Sequence, residues 1–401
     1  MNRRQLMTQT GMAAILVAGN TGNSPAEAPD RPDTPLDPVL RPYLAKYGLP
    51  ALAAAVVLKG RITAAGAVGT RRAGTQSPVS LTDRFHIGSD TKAMTALVAA
   101  MLVEAGKLRW ESTVADIFPE LSGTTDPALK PVTFEQLLSH TSGIPSDNET
   151  HEKLLLQSYA QEGLNLDELR YWLVKELVQQ PLQSPPGTKF AYANMGFVLA
   201  GAMLERVGGL SWEELVATRV FDPLGLKTAG FGPQSSPGRV DAPLGHKAQP
   251  DGTLKPMLAG PNGDNPAVLG PAGTVHLSIL DFAGWAGWNA GEGRREPALV
   301  RPETLRKLQT PVIDMPPRPD AKPGTPSRGG YGLGWGSLTM PFSPEPFVFH
   351  GGSNELNLAY IMLQPKDDLA MVMTTNLGGA AGDKALVALA EDLYQRFGAK
   401  R

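Results

Sequence analysis

The densest apolar stretch of the chain runs over residues 93–105, directly behind Phe85-His86-Ile87-Gly88-Ser89-Asp90-Thr91-Lys92. Within it Met94, Leu97, Val98, Met101 and Leu102 recur at helical spacing, and alanine fills most gaps. An apolar pattern all round predicts a helix covered by protein on most sides, with Gly106 as its stop. Upstream, residues 39–47 alternate as a short amphipathic helix. Residues 51–58 and 61–68 are apolar runs joined by Lys59-Gly60, a predicted β-hairpin. From about 108 to 220 the pattern is mostly helical. Thr133 and Gln136 form a capping box opening a helix that Gly143 and Pro145 should end, and residues 166–178 and 195–206 read as further helices. Between these two, 181–187 is a proline-rich turn.

The pattern changes again downstream. Residues 230–270 are irregular and rich in Gly and Pro, too long for a simple connection, and are expected to wall a pocket. Residues 278–288 resume a helix carrying Trp285 and Trp288, and 311–330 form a proline-rich, exposed loop. Residues 331–335, 346–349, 358–363 and 369–374 read as strands. Pro365-Lys366-Asp367-Asp368 turns the last two into an antiparallel pair, and an amphipathic helix over 384–397 closes the chain. Strands at both ends around a helical middle predict an α+β fold. One antiparallel sheet would be flanked by terminal helices, with sheet regions at about 39–92 and 331–400 and a mostly helical insertion at about 93–330.

Composition narrows the options. The 401 residues are 42% apolar, enough for a large core, and the net charge of −2 offers no basic surface for nucleic acid. The absence of cysteine excludes disulfides, thiolate metal sites, a cysteine nucleophile and a lipoprotein anchor. Arg3-Arg4-Gln5-Leu6-Met7, a short apolar core and Ala26-Glu27-Ala28 predict an export signal over residues 1–28, twin-arginine-like. Residues 29–38 then read as a linker, and 39–400 as the folded domain. The expectation is a periplasmic or secreted protein with no stable membrane anchor after cleavage.

Candidate chemistry centres on Ser89 and Lys92, three residues apart on the first turn of the buried helix. A serine hydroxyl needs a partner to take its proton, and burial lowers a lysine pKa enough for that task. Backbone N–H groups at the helix start suit a developing oxyanion. One Ser-x-x-Lys arises about once by chance in such a chain, so its companions matter. Tyr192 and Asn194 offer a phenol, which loses its proton more easily near an ammonium, and an amide to hold a substrate carbonyl or the lysine. His350-Gly351-Gly352-Ser353 ends a strand where glycines admit a substrate to the backbone. Gly270 to Gly273 and Tyr331 to Trp335 read as backbone-shaping elements without chemistry of their own, and His140 as a structural histidine at a helix end. There is no G-x-S-x-G, no H-E-x-x-H and no phosphate-binding glycine loop leading into a helix.

The ordered set Ser89-x-x-Lys92, Tyr192-x-Asn194 and His350-Gly351-Gly352 resembles the serine hydrolases of the class C β-lactamase and penicillin-binding-protein superfamily. That group includes D-alanyl-D-alanine carboxypeptidases, D-aminopeptidases and family VIII carboxylesterases. The resemblance spans nearly the whole chain after residue 38. It implies a sheet flanked by terminal helices with the active site beside an all-helical region, and no cofactor. It implies Ser89 as acylated nucleophile, Lys92 as its activator, and Tyr192 as the base that later protonates the leaving group. Asn194 would position Lys92 and substrate, and the N–H groups of Ser89 and Ser353 would form the oxyanion hole. Where β-lactamases of this class carry Lys-Thr-Gly, this chain has His350, Gly351 and Gly352. A neutral histidine anchors a carboxylate weakly, which favours ester, amide or short-peptide substrates over β-lactams. A penicillin-binding or muropeptide-sensing module with slow turnover, or a β-lactamase, is the alternative left open.

Overall fold

The structure, a computed structural model, describes residues 32–260, 263–316 and 329–398. The expected export signal lies outside the described residues. In chain order the strands are β1 (Thr34–Pro35), β2 (Ala51–Leu58), β3 (Arg61–Gly69), β4 (Arg84–His86), β5 (Gly230–Phe231), β6 (Gly245–Ala248), β7 (Leu254–Met257), β8 (Val275–Ser278), β9 (Ile313–Asp314), β10 (Gly329–Tyr331), β11 (Gly336–Leu338), β12 (Phe347–Ser353), β13 (Leu358–Gln364) and β14 (Leu369–Thr375). Five helices position the site: α1 (Asp37–Tyr47), α2 (Thr91–Glu104), α3 (Asn194–Gly208), α4 (Ile279–Ala290) and α5 (Gly379–Phe397).

The fold is the expected α+β architecture, built on a sheet ordered β1-β3-β2-β14-β13-β12-β11-β10-β9. Apart from the short parallel pair of β1 and β3, its neighbours are antiparallel. The period of two along each strand sorts its residues between two cores. Leu52, Ala54, Val56, Met371 and Met373 pack with Leu389 and Leu393 of α5 and Leu40 of α1 on one face. Ala53, Ala55, Val57, Ile361 and Val372 pack with Phe282 and Trp285 of α4 and with the helical region on the other. Both faces being covered, β2 is apolar throughout and β14 is buried along its whole length.

The hairpin, the Thr133–Gln136 capping box, the buried helix and the turn at Pro365 fall where the pattern places them. Several boundaries differ. The linker expected over 29–38 reaches into the fold, because Thr34 and Pro35 pair with β3 and Asp37-Pro38 opens α1, proline suiting a first turn. The helix expected to run to Gly143 stops at Leu138, since His140 takes a left-handed φ of 57°. Of the strand expected over 331–335 only Tyr331 is extended, ending β10; residues 332–335 turn into β11, with Gly334 at φ 74° backing onto the Lys92 carbonyl. The helical middle is not purely helical. β8 pairs with β4 and β5, β6 with β7, and α4 lies on the sheet.

Two of these arrangements place the chemistry. Pairing of β4 with β8 sets residues 87–92 beside 270–275, sealed by Ile87 N–H donating to Val275 carbonyl at 3.0 Å. On the other side β12 runs past the last residue of β11 that it pairs with, so His350–Ser353 have a free edge there. Gly352 presses against the Ser89 turn: a Cβ on it would stand 1.8 Å from Ile87 O and 2.7 Å from Ser89 N.

Candidate active site

Ser89 sits on a single 3-10 turn, Gly88–Asp90, that leads into α2. Gly88 adopts φ 51°, and a Cβ there would meet Ser353 N at 2.2 Å, so glycine is required both by conformation and by space. The turn is braced from behind by His86. Its Nδ1 accepts from Gly88 N–H at 3.0 Å, and its Nε2 faces Asp264 Oδ1 at 2.9 Å. Asp264 also accepts from Asn354 Nδ2 at 2.9 Å, which ties the β12–β13 turn to the nucleophile turn.

Lys92 is fully buried one turn on. Its Nζ lies 3.0 Å from Ser89 Oγ, 2.8 Å from Asn194 Oδ1 and 2.6 Å from the Ala272 carbonyl oxygen. Burial lowers its pKa from 10.5 to about 7, against the opposing pull of Asp147 and Asp90. The neutral amine has two N–H donors and one lone pair. Ala272 O can only accept, and Asn194 Oδ1 likewise, because Asn194 Nδ2 is committed to Asp147 Oδ2 at 2.7 Å. Both N–H groups are therefore used, and the lone pair is left to the Ser89 hydroxyl. In its neutral form Lys92 is thus placed to accept the Ser89 hydroxyl proton.

Tyr192 precedes α3, and Lys92 Nζ stands 4.8 Å from the centre of its ring. Burial pushes the phenol above its ordinary pKa, with a hydrogen bond to Ser89 opposing. The sequence reading expects an easily ionised phenol; here desolvation, with Asp90 and Asp147 adding to it, outweighs the Ser89 hydrogen bond. Tyr192 is held as a proton donor. His140 stacks on it at 4.2 Å between ring centres and accepts from Ala193 N–H at 3.1 Å, fixing the turn into α3.

His350 is buried, its Nε2 2.8 Å from the Tyr331 hydroxyl and its Nδ1 3.0 Å from Gly351 O. Burial, aided by Lys92, lowers its pKa to about 3, so it is neutral at pH 7. Asp90 Oδ1 lies 3.5 Å from His350 Nδ1. Asp90 is fully buried without a hydrogen-bond partner, and desolvation raises its pKa well above the usual carboxylate value. Gly351, Gly352 and Ser353 continue the strand past the nucleophile, with Ser353 Oγ turned away to the Asn357 carbonyl at 2.7 Å.

All eight residues singled out in the sequence, Ser89, Lys92, Tyr192, Asn194, His350, Gly351, Gly352 and Ser353, converge on this one place. Four contributors went unread: Asp147, Asp264, the Ala272 carbonyl and the Tyr331 hydroxyl. The last two lie in segments read as backbone-shaping without chemistry of their own. Among the described residues of segment 230–270, expected to wall the pocket, none lines the cavity beside the site. The segment braces the β12–β13 turn instead, with Gln234 Nε2 donating to Asn357 Oδ1 at 2.7 Å. Among the described residues no group of His, Asp and Glu is arranged to hold a metal ion.

Fold and site together place the chain in the β-lactamase and penicillin-binding-protein superfamily. Residues 36–395 match the family described as Beta-lactamase, and the chain belongs to that family. It is similar to penicillin-binding protein 4 of Amycolatopsis lactamdurans, 26% identical over 340 residues, covering 84% of this chain and 83% of that one. It is also similar to protein flp of Staphylococcus aureus, 23% identical over 345 residues; the match covers 85% of this chain and spans only 62% of the relative's length. Among solved structures, the octameric penicillin-binding protein homologue of Pyrococcus abyssi superposes with a TM-score of 0.72 at 25% identity, covering 90% and 77% of the two chains.

Proposed function

We propose that the protein hydrolyses an ester or amide through an acyl-enzyme on Ser89. The observation that carries this reading is the buried Lys92 Nζ within 3.0 Å of Ser89 Oγ, its two other partners, Asn194 Oδ1 and the Ala272 carbonyl, being acceptors. Ser89 Oγ bonds to the carbonyl carbon while its proton passes to Lys92 Nζ. The N–H groups of Ser89 and Ser353 receive the developing oxyanion, each such donor worth roughly 3–4 kcal/mol. The bond to the leaving oxygen or nitrogen then breaks, that atom taking the Tyr192 hydroxyl proton, which Lys92 replaces. Water attacks the acyl-enzyme by the reverse relay and frees the acid and Ser89.

A neutral His350 and the side-chain-free Gly351 give a substrate carboxylate little to hold, which favours carboxylesterase-like or D-peptidase-like substrates over β-lactams. A penicillin-binding or sensing module that acylates but turns over slowly is the competing reading, favoured by the penicillin-binding relative. Export to the periplasm or beyond is part of the proposal and rests on Arg3-Arg4 and Ala26-Glu27-Ala28 alone. Cell fractionation with and without Arg3→Lys/Arg4→Lys tests it.

The deciding experiment is steady-state hydrolysis of p-nitrophenyl acetate beside intact-protein mass after benzylpenicillin, wild type against Ser89→Ala. Turnover lost in Ser89→Ala supports the hydrolase. A lasting penicillin adduct without ester turnover supports the sensing module. Undiminished turnover in Ser89→Ala overturns Ser89 as nucleophile.

A further inference from the structure

A cavity of about 430 Å³ extends from Tyr192, Gly352 and Ser353 to the C-terminal helix. It passes the point where β11 stops at Gly336, and its far end meets Asp383 and Val387, one turn apart on α5. Met340, Phe349, Leu358 and Met362 make the walls apolar. Gly351 keeps the passage open, since a Cβ there would crowd Tyr360 Cε1 at 3.0 Å and Phe349 Cζ at 3.2 Å. Among the described residues no Lys or Arg lines it, and its one carboxylate is Asp383, which accepts from the Tyr360 hydroxyl.

The direction of the cavity fixes which part of a substrate enters. Tyr192, the donor to the departing atom, borders it, whereas Asn194 and Asp147 do not. The group that follows the departing atom is therefore the one aimed into the cavity. Resting on the hydrolase reading above, we infer that the cavity is a leaving-group site for an apolar alcohol or amine portion that carries no negative charge. Apolar walls reward each buried methylene, and Asp383 at the far end repels an anion brought there without a counter-charge.

The test separates the two sides of the ester. Ethyl, butyl and hexyl acetate vary the alcohol at fixed acyl group; ethyl acetate, butanoate and hexanoate vary the acyl group at fixed alcohol. The expected result is a kcat/KM rising about fourfold per methylene in the alcohol series and staying within about twofold in the acyl series. The acetate ester of 6-hydroxyhexanoate should fall at least tenfold below hexyl acetate at pH 8, and Asp383→Asn should narrow that gap. Val387→Trp should lower hexyl acetate at least tenfold more than ethyl acetate, a ratio that a general folding defect leaves unmoved. A steep acyl series with a flat alcohol series, or equal losses on both acetates in Val387→Trp, overturns the inference while leaving the hydrolase intact. Absence of any Ser89-dependent hydrolysis, p-nitrophenyl acetate included, overturns the hydrolase reading and the inference with it.

Discussion

Asp147 holds the Asn194 amide in one orientation, its Oδ2 accepting from Asn194 Nδ2 at 2.7 Å. That contact decides which end of the amide faces Lys92. With the oxygen inward the lysine spends an N–H on it; with the nitrogen inward the amide would compete for the lone pair. Asp147→Ala is therefore expected to lower kcat/KM by about tenfold or more through misorientation. Because Asp147 also raises the Lys92 pKa, the same variant should move the acidic limb of the pH profile downward. A pH–rate profile of wild type and variant reads both effects at once, and a loss with the limb unmoved would reject this role.

Lys92 should give the wild-type profile its shape. A base is active when neutral, so kcat/KM is expected to rise with pH through about 7 and then level off. The raised pKa of Tyr192 keeps that phenol protonated across the same range. Lys92→Arg, which retains a cation that cannot release its proton, should cost about 10²–10⁴-fold in kcat at every pH. A profile already flat between pH 5 and 9 would exclude the lysine as base.

Gly352→Ala probes the fit of β12 on the nucleophile turn. The added methyl would overlap Ile87 O and approach Ser89 N, so strand and turn must part and the oxyanion donors with them. The expected loss is about 10²–10³-fold in kcat, the usual cost of one such donor, with melting temperature much less affected. Single-turnover acylation rates and thermal unfolding check the two halves of this statement.

Buried groups set an opposed pair of pH dependences on stability. His350 is held neutral in the fold down to about pH 3, while the unfolded chain takes up a proton near 6.5. Its contribution is fully present above 6.5 and is lost as pH falls towards 3, at up to about 1.4 kcal/mol per pH unit. Asp90 acts in the other direction. Its raised folded pKa binds a proton that the unfolded chain has already released, so it costs stability as pH rises above the ordinary carboxylate range. Asp90→Asn should therefore raise the melting temperature more at pH 8 than at pH 4, by calorimetry; an equal shift at both would reject the assignment.

What was legible in the sequence was what neighbouring residues determine. The hairpin at Ala51 to Gly69, the Thr133–Gln136 cap and the run behind Lys92 follow from periodicity and capping chemistry. The site residues stood out because a short motif places each on a turn or strand end. The unread contributors depend on the fold. The Ala272 carbonyl has no side-chain signature, and it reaches Lys92, 180 residues earlier, only through the β4–β8 pairing. Asp147 is an exposed loop acid, and Asp264 lies in an irregular segment, so neither carries a pattern. The Tyr192 ionisation was misread because its burial, which raises the phenol pKa, depends on the fold.

The sheet also imposes an order on how the protein comes into being. β2 finds its partner in β14, more than 300 residues later, along seven consecutive positions from Leu58 with Leu369 to Leu52 with Thr375. A nascent chain on the ribosome holds β2 with one edge open until nearly the last strand has emerged. Contacts of such sequence separation slow folding and expose unpaired edges in the meantime. β12, whose end supports the nucleophile turn, is joined to β2 only through β13 and β14. A chain cut short before Leu369 would thus be left without the strand that joins its two halves, and catalytic competence would arrive all at once, at the end of synthesis.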